Sequence, residues 1–410
     1  MRLIYCDTAL ADLNGHYYSE CLMTVNAFAK AGILSHIFGH VAAKDVNLAP
    51  LTVAPHFRTQ KWEWLGFSND FLCGPMESLL ISANITAEDL GRIEGWEKTD
   101  ILCWNHITPS DLFALGLWGK SIPMEQTPHF LLHVGIQPGI YPLVENGELS
   151  GRFEILDRTS AEQFRLAAKR LPQHIKDRIK FVAYDELAAK SYQELLLQPV
   201  HVVPFCSYEN ANPMQRSSAK ITVSYLGVPR EPKGFGTAPY VIEQLLAQTP
   251  DRVNFMVQLG GDWKIGGDRS KDEQQMMRDL ASKNSRVKVV QGPLTETEWQ
   301  GMLDSTDLLL LPYHQQSYAS QTSGPCMEAL ANGIVQVATN RTTMEFALKR
   351  HGMPGVLIDA PTVEHTVQGA LSAIANYDAL AAKAFAASQQ WRSFHNRENF
   401  MKHILQFFPN

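Results

Sequence analysis

The sequence predicts an α/β protein built as two Rossmann-like domains, on three observations. Short apolar runs alternate with segments of helical period almost from end to end, the signature of βαβ units and parallel sheets. The pattern is broken by the polar, turn-rich stretch SYENANPMQRSSAK, residues 207–220, and then restarts. The 410 residues, 45% of them apolar, exceed the roughly 250 to 300 at which a single core stops growing.

In the first half, strands are expected at Arg2–Cys6, Ser35–Phe38, Asp100–Trp104, His129–His133, Lys180–Ala183 and His201–Val203. Between the first two, Cys21, Leu22, Val25, Phe28 and Ala29 recur at intervals of three and four, so Ser19–Ala31 reads as a helix closed near Gly32. In the second half, strands are expected at Ile221–Leu226, Val253–Leu259, Val287–Gln291, Leu308–Leu311, Ile334–Ala338 and Gly355–Ile358. A helix-rich portion, Val363–Phe408, is too long for one closing helix. The expected domains are 1–204 and 205–385, with a helical segment 386–410 crossing back to the first. No tandem repeat of solenoid length is present.

Composition excludes several classes. Thirty-six Lys and Arg against 42 Asp and Glu give a net charge of -6, which offers no general attraction to a phosphate backbone, so nucleic acid is not an expected partner. Six scattered cysteines form no C-x-x-C pair and read as buried thiols of a reducing cytoplasm. The apolar run Leu3–Cys6 is too short for a signal peptide, and no apolar stretch of about 18 residues is available to span a bilayer.

Two loops carry the chemistry. YLGVPREPKGF, Tyr225–Phe235, follows an apolar strand and puts Arg230 and Lys233 beyond its carboxyl end, where parallel sheets bind anions. LLLLPYHQQSYASQTSGPCMEALANGIVQVAT, Leu308–Thr339, runs from a strand into a polar loop with Gln321, Thr322, Ser323 and Gly324. Pro325 then opens a short helix that Asn332-Gly333 closes. Free N–H groups at that helix start suit a diphosphate, and Glu328 one turn inside could accept from the hydroxyls of a ribose.

In order and spacing these two motifs resemble the second domain of retaining glycosyltransferases of the GT-B architecture, particularly glycosyltransferase family 4, over about residues 205 to 360. The resemblance implies two Rossmann-like domains facing each other across a cleft. It also implies sugar transfer from a nucleotide diphosphate sugar, with retention of anomeric configuration. Lys233 matches the lysine on the donor diphosphate, Glu328 the glutamate on the ribose, and Ser323 with Gly324 the phosphate loop. Gly292-Pro293-Leu294 resembles the nucleobase seat. Two departures stand out: Gln321 occupies the place of a frequent second glutamate, and Arg230 lies farther from the strand than the usual arginine, either as its substitute or as a neighbour.

In the first domain, Asn14-Gly15-His16 resembles the family's glycine loop near the donor phosphates. His133, ending HFLLH before Gly135, resembles the active-site histidine that faces the transferred sugar, and His106 in CWNHITP competes for that role. No D-x-D cluster is present to hold Mg2+ or Mn2+ on a diphosphate, so metal independence is expected, with no cofactor beyond the donor. The acceptor is open between a glycan, a lipid-linked molecule and a small molecule. Phe164–Phe181 carries Arg165, Lys169, Arg170, Lys176, Arg178 and Lys180 against Asp177, either as a solvated face or as a contact with anionic lipid. A sugar-nucleotide epimerase and a non-catalytic nucleotide-sugar-binding subunit are the alternative readings.

Overall fold

The computed structural model describes residues 1–12, 17–61, 74–145, 148–205, 213–217, 219–260, 271–292 and 294–408. Asn14, Gly15, His16, Pro293, Cys73 and Cys206 lie outside the described residues. The chain divides into two compact units, Met1–Cys206 with Arg397–Asn410, and Ser207–Asn396.

The first unit holds a seven-stranded sheet whose strands are β1 (Leu3–Cys6), β2 (Ser35–His40), β3 (Val53–Phe57), β4 (Ile101–Trp104), β5 (His129–His133), β8 (Ile179–Ala183) and β9 (Val200–Val202). Their order is β3-β2-β1-β4-β5-β8-β9, and every pairing is parallel. Helices covering both faces bury the central strands completely, which is why LIYC and ILCW are continuous apolar runs. A separate antiparallel pair, β6 (Ile140–Glu145) and β7 (Glu148–Ile155), follows β5. The helix Arg397–Phe407 closes this unit, with Phe407 and Phe408 against the rings of His201 and His129.

The second unit holds six parallel strands, β10 (Ile221–Tyr225), β11 (Val253–Leu259), β12 (Val287–Gln291), β13 (Leu308–Leu311), β14 (Val335–Thr339) and β15 (Gly355–Ile358). Their order is β12-β11-β10-β13-β14-β15. Numbered within the unit this is 3-2-1-4-5-6, the doubly wound order of Rossmann sheets. Apolar side chains of β10, β11, β13 and β14 pack with the helices Ala238–Gln248 and Val363–Ala375 into its core.

Every strand expected from the sequence is present to within a residue or two. The sequence reading contains neither β3 nor the β6–β7 hairpin. β3 is an edge strand with Pro55 and His56 in its middle and mostly accessible side chains, so its apolar signal is weak. In the hairpin, Pro142 sits in the first strand and the second, ELSGRFEI, is largely accessible.

Candidate functional site

In doubly wound sheets ligands bind outside the carboxyl ends of the strands, where the order reverses. In the second unit that reversal lies between β10 and β13, and the loops that follow these two neighbours carry Lys233 and Gly324. After Tyr225 the chain turns at Gly227 (φ 102°), makes a single tight turn at Glu231–Lys233 and leaves through Gly234 (φ 70°). Both glycines are demanded by close approach as well as by their left-handed backbone. A β-carbon on Gly227 would stand 2.7 Å from Lys233 Nζ and 3.4 Å from Pro325 Cγ. One on Gly234 would overlap the Pro312 carbonyl. The lysine ammonium therefore lies within about 6 Å of the proline that opens the helix Gly324–Ala331, so the two loops converge.

Lys233 is only 7% exposed, and its ammonium is pushed down to about 7 by burial first and by the charge of Arg230 second, with Glu328 pulling the other way. Its Nζ is 5.7 Å from the ring centre of Tyr313, which packs 4.5 Å from the ring of Tyr318. Arg230 Nη2 reaches the Tyr318 hydroxyl at 3.5 Å, and Tyr225 donates its hydroxyl to the Lys233 carbonyl. A buried ammonium, Lys233, thus lies within the field of an exposed guanidinium, Arg230.

The helix opposite begins with Ser323 as its cap, the hydroxyl accepting from the Cys326 amide at 3.3 Å. A β-carbon on Gly324 would meet nothing within 4 Å, so the space in front of the first turn is open. Glu328 is buried and accepts from the Trp299 indole at 2.5 Å. Trp299 stands on the helix Glu296–Asp304, next after Leu294, so this bond ties the segment expected to seat a base to the residue expected to hold a ribose. The Gln321 carbonyl is fixed by the Thr343 hydroxyl at 2.5 Å, and Thr322 and Leu294 are half-buried. Sequence reasoning missed Trp299, Tyr313 and Tyr318, whose places depend on partners distant in sequence.

The first unit has its own reversal, between β1 and β4. There Lys61 and Asp7 form an ion pair at 3.1 Å, both side chains fully buried, and Lys61 also donates to the Asn105 carbonyl at 2.6 Å. His106 follows at φ 49°, and its Nε2 donates to both oxygens of Glu20, at 2.9 and 2.7 Å. His133 ends the next strand, 4.8 Å from His106 and 4.1 Å from Tyr184, ring centre to ring centre. Gly135 makes room: a β-carbon there would lie 2.8 Å from His106 Nδ1 and 3.1 Å from His133 Cε1. Burial pushes both imidazoles down to about 3, so both are neutral. The two histidines that competed for one role are neighbours, and Glu20, unmarked in the sequence, joins them.

Elsewhere, Arg165, Lys169, Lys176 and Lys180 line a cavity of about 440 Å³ with Asp177. The apolar side of the helix Arg158–Arg170, with Phe164, Ala167 and Ala168, is already buried in the core, so this helix presents charge outward and no apolar face. Among the described residues no helix is long and apolar enough to cross a membrane.

No protein-family model matches the chain, and no curated protein matches it. Solved structures do, over almost their whole length. Sucrose-phosphate synthase from Thermosynechococcus elongatus superposes with a TM-score of 0.65 at 12% identity, covering 100% of this chain and 98% of that one. HepE from Anabaena, in complex with UDP-glucose, gives 0.63 at 13%, covering 99% and 98%. A glycosyltransferase from Rickettsia africae gives 0.62 at 12%, covering 99% and 97%. With two parallel, doubly wound sheets and full-length likeness to these enzymes, the chain has the GT-B glycosyltransferase fold.

Proposed function

We propose that this protein is a glycosyltransferase that takes a sugar from a nucleotide diphosphate sugar, without a metal ion on the diphosphate and with retention of configuration. The observation that carries the reading is the convergence of Lys233, Arg230 and the open start of the helix Gly324–Ala331 at the strand-order reversal of the second unit. Departure of a nucleoside diphosphate develops negative charge on the leaving oxygen, and preorganised cations and free amides aimed at it lower that barrier. Lys233 and Arg230 supply the cations, and Thr322, Ser323 and Gly324 the helix-start donors, with Gln321 beside them. Glu328, positioned by the Trp299 indole, takes the ribose hydroxyls, and Leu294 lies beside the base.

His133 is the group proposed to meet the transferred sugar, with Gly15 and His16 toward the donor phosphates. The likeness in fold to HepE, solved in complex with UDP-glucose, supports a nucleotide sugar as the donor class. The acceptor is a glycan, a lipid-linked molecule or a small molecule. The buried thiols of Cys6, Cys21, Cys103 and Cys326, none of them in a disulfide, suit a reducing cytoplasm. The basic cavity around Lys176 offers a charge-only contact with an anionic membrane surface.

The test is calorimetric titration of UDP, GDP and ADP and their sugars, followed by product analysis with acceptors. One nucleoside diphosphate should bind, and Lys233→Ala should weaken it at least roughly tenfold, the low end for a lost charge-assisted hydrogen bond. Absence of binding by all of them, or wild-type affinity in the variant, refutes the reading. A second reading, a binding subunit without turnover, is favoured by Gln321 where a carboxylate is frequent; ligand binding with neither transfer nor donor hydrolysis would select it.

A further inference from the structure

We infer that Glu20, His106 and His133 form a binding site in the first unit for one divalent late first-row transition ion, with Zn2+ the best fit. All three residues belong to the first unit, and the inference does not rest on the transferase reading. One ligand atom from each residue, two imidazole nitrogens and a carboxylate oxygen, lies within 4.8 Å of the other two. Three points so spaced all lie within about 2.8 Å of a common centre, so bond lengths near 2.0 to 2.2 Å require each ligand to move inward by well under 1 Å. Rotation of two rings and one carboxylate supplies that without moving the backbone.

Two further observations point to an ion. His133 is 2% exposed, yet neither of its ring nitrogens has a hydrogen-bond partner. An imidazole buried in this way loses its hydration with nothing in return, and such orphaned groups call for a ligand. The formal charges around the cluster are also unbalanced. Among the described residues Asp7 and Asp111 are buried carboxylates that face the one buried ammonium of Lys61, while the buried Glu20 carboxylate is met by the neutral His106 ring and the Asn105 amide. A divalent cation offsets that excess where bulk water does not reach.

The backbone is arranged to keep the rings together. His106 adopts the left-handed φ of 49°, which histidine tolerates better than most residues other than glycine, and the Ile107 amide donates to the His133 carbonyl at 2.9 Å. Gly135 is the position that lets the two rings approach. Two imidazoles and one carboxylate are the donor set of open zinc sites, with the fourth position left to water or an exogenous oxygen. On binding, His106 Nε2 exchanges its proton for the ion and Nδ1 takes the ring proton. Occupancy also engages His133, so the ion and a sugar hydroxyl compete for the same imidazole.

The test uses the full-length protein, freed of metal by a chelator, without any nucleotide. Equilibrium dialysis against micromolar Zn2+ is expected to give one ion per chain. Co2+ in its place is expected to give the intense visible absorption of a four- or five-coordinate site, with no thiolate charge-transfer band. Glu20→Gln and His106→Asn, the latter chosen because asparagine tolerates φ 49°, should each weaken Zn2+ at least tenfold. Less than one-tenth of an ion per chain overturns the inference, as does a weak octahedral Co2+ spectrum, a thiolate band, or unchanged affinity in folded variants. The cobalt spectrum of the wild type decides the matter even if both variants fail to fold.

Discussion

The depressed ammonium of Lys233 makes donor binding depend on pH with a definite sign. In the ligand-free protein the group titrates near 7, so the charged fraction is about 0.9 at pH 6 and about 0.1 at pH 8. A bound diphosphate, doubly negative and in contact, draws the lysine back toward its ordinary range, so in the complex it is charged throughout. The binding contribution of a charged Lys233 is therefore fully present below about pH 7 and is lost as pH rises, and affinity should fall about tenfold from pH 6 to pH 8. A nucleotide sugar is the right probe, because its diphosphate has no titration of its own in this window. Calorimetry in two buffers of different ionisation enthalpy should also read the uptake of about half a proton at pH 7.

Lys233→Met should flatten the pH dependence and weaken binding at pH 6 by roughly tenfold or more. It should also stabilise the ligand-free protein at neutral pH, since methionine fills the same space without the desolvated charge. Linkage gives the same sign: between about 7 and the unfolded value of 10.5, the unfolded chain holds a proton that the folded lysine has lost, so this group makes stability rise with pH. Wild-type affinity that is flat from pH 6 to 8, with no proton taken up, would refute the placement of a desolvated Lys233 on the phosphate.

Other consequences follow from single contacts. Gly324→Ala meets open space, so denaturant stability should stay within about 0.5 kcal/mol of wild type while donor affinity drops, because the new methyl occupies the approach to the helix start. Gly234→Ala instead drives a β-carbon into the Pro312 carbonyl at a left-handed φ of 70° and should cost about 2 to 4 kcal/mol in a urea titration. Trp299→Phe keeps the ring but frees Glu328, so the nucleotide Kd should rise by roughly 3- to 10-fold; added to Glu328→Ala it should have no further effect, and an additive double-mutant cycle would break the coupling. Lys61→Met leaves the buried Asp7 carboxyl without its partner and should destabilise the first unit by about 3 to 5 kcal/mol, a claim that a loss below 1 kcal/mol would defeat.

The fold was legible because both sheets are parallel and buried. Strands such as LLLL at 308–311 and LIYC at 3–6 must be apolar on both faces, and the helices between them must alternate, so period and length identify each element. Accessible edges such as β3 left no such trace. The phosphate loops were legible for a similar reason: a glycine or proline at a strand end and a cap at a helix start are local requirements of backbone geometry. Trp299, Tyr313 and Glu20 were not, since each matters through a partner distant in sequence, as in the 2.5 Å bond from Trp299 to Glu328.

What the sequence by itself determined is the order of strands and helices and the residue types at their carboxyl ends, because burial and backbone conformation restrict those position by position. Only the tertiary structure decided that β10 and β13 are neighbours, which brings Lys233 near Pro325 across 91 intervening residues, and that His133 packs against His106, whose ring is bonded to the buried Glu20 carboxylate. Strand order is set by which apolar faces pack together, a property of the whole sheet. The desolvation that lowers Lys233 and leaves His133 without a partner exists only once that packing is complete.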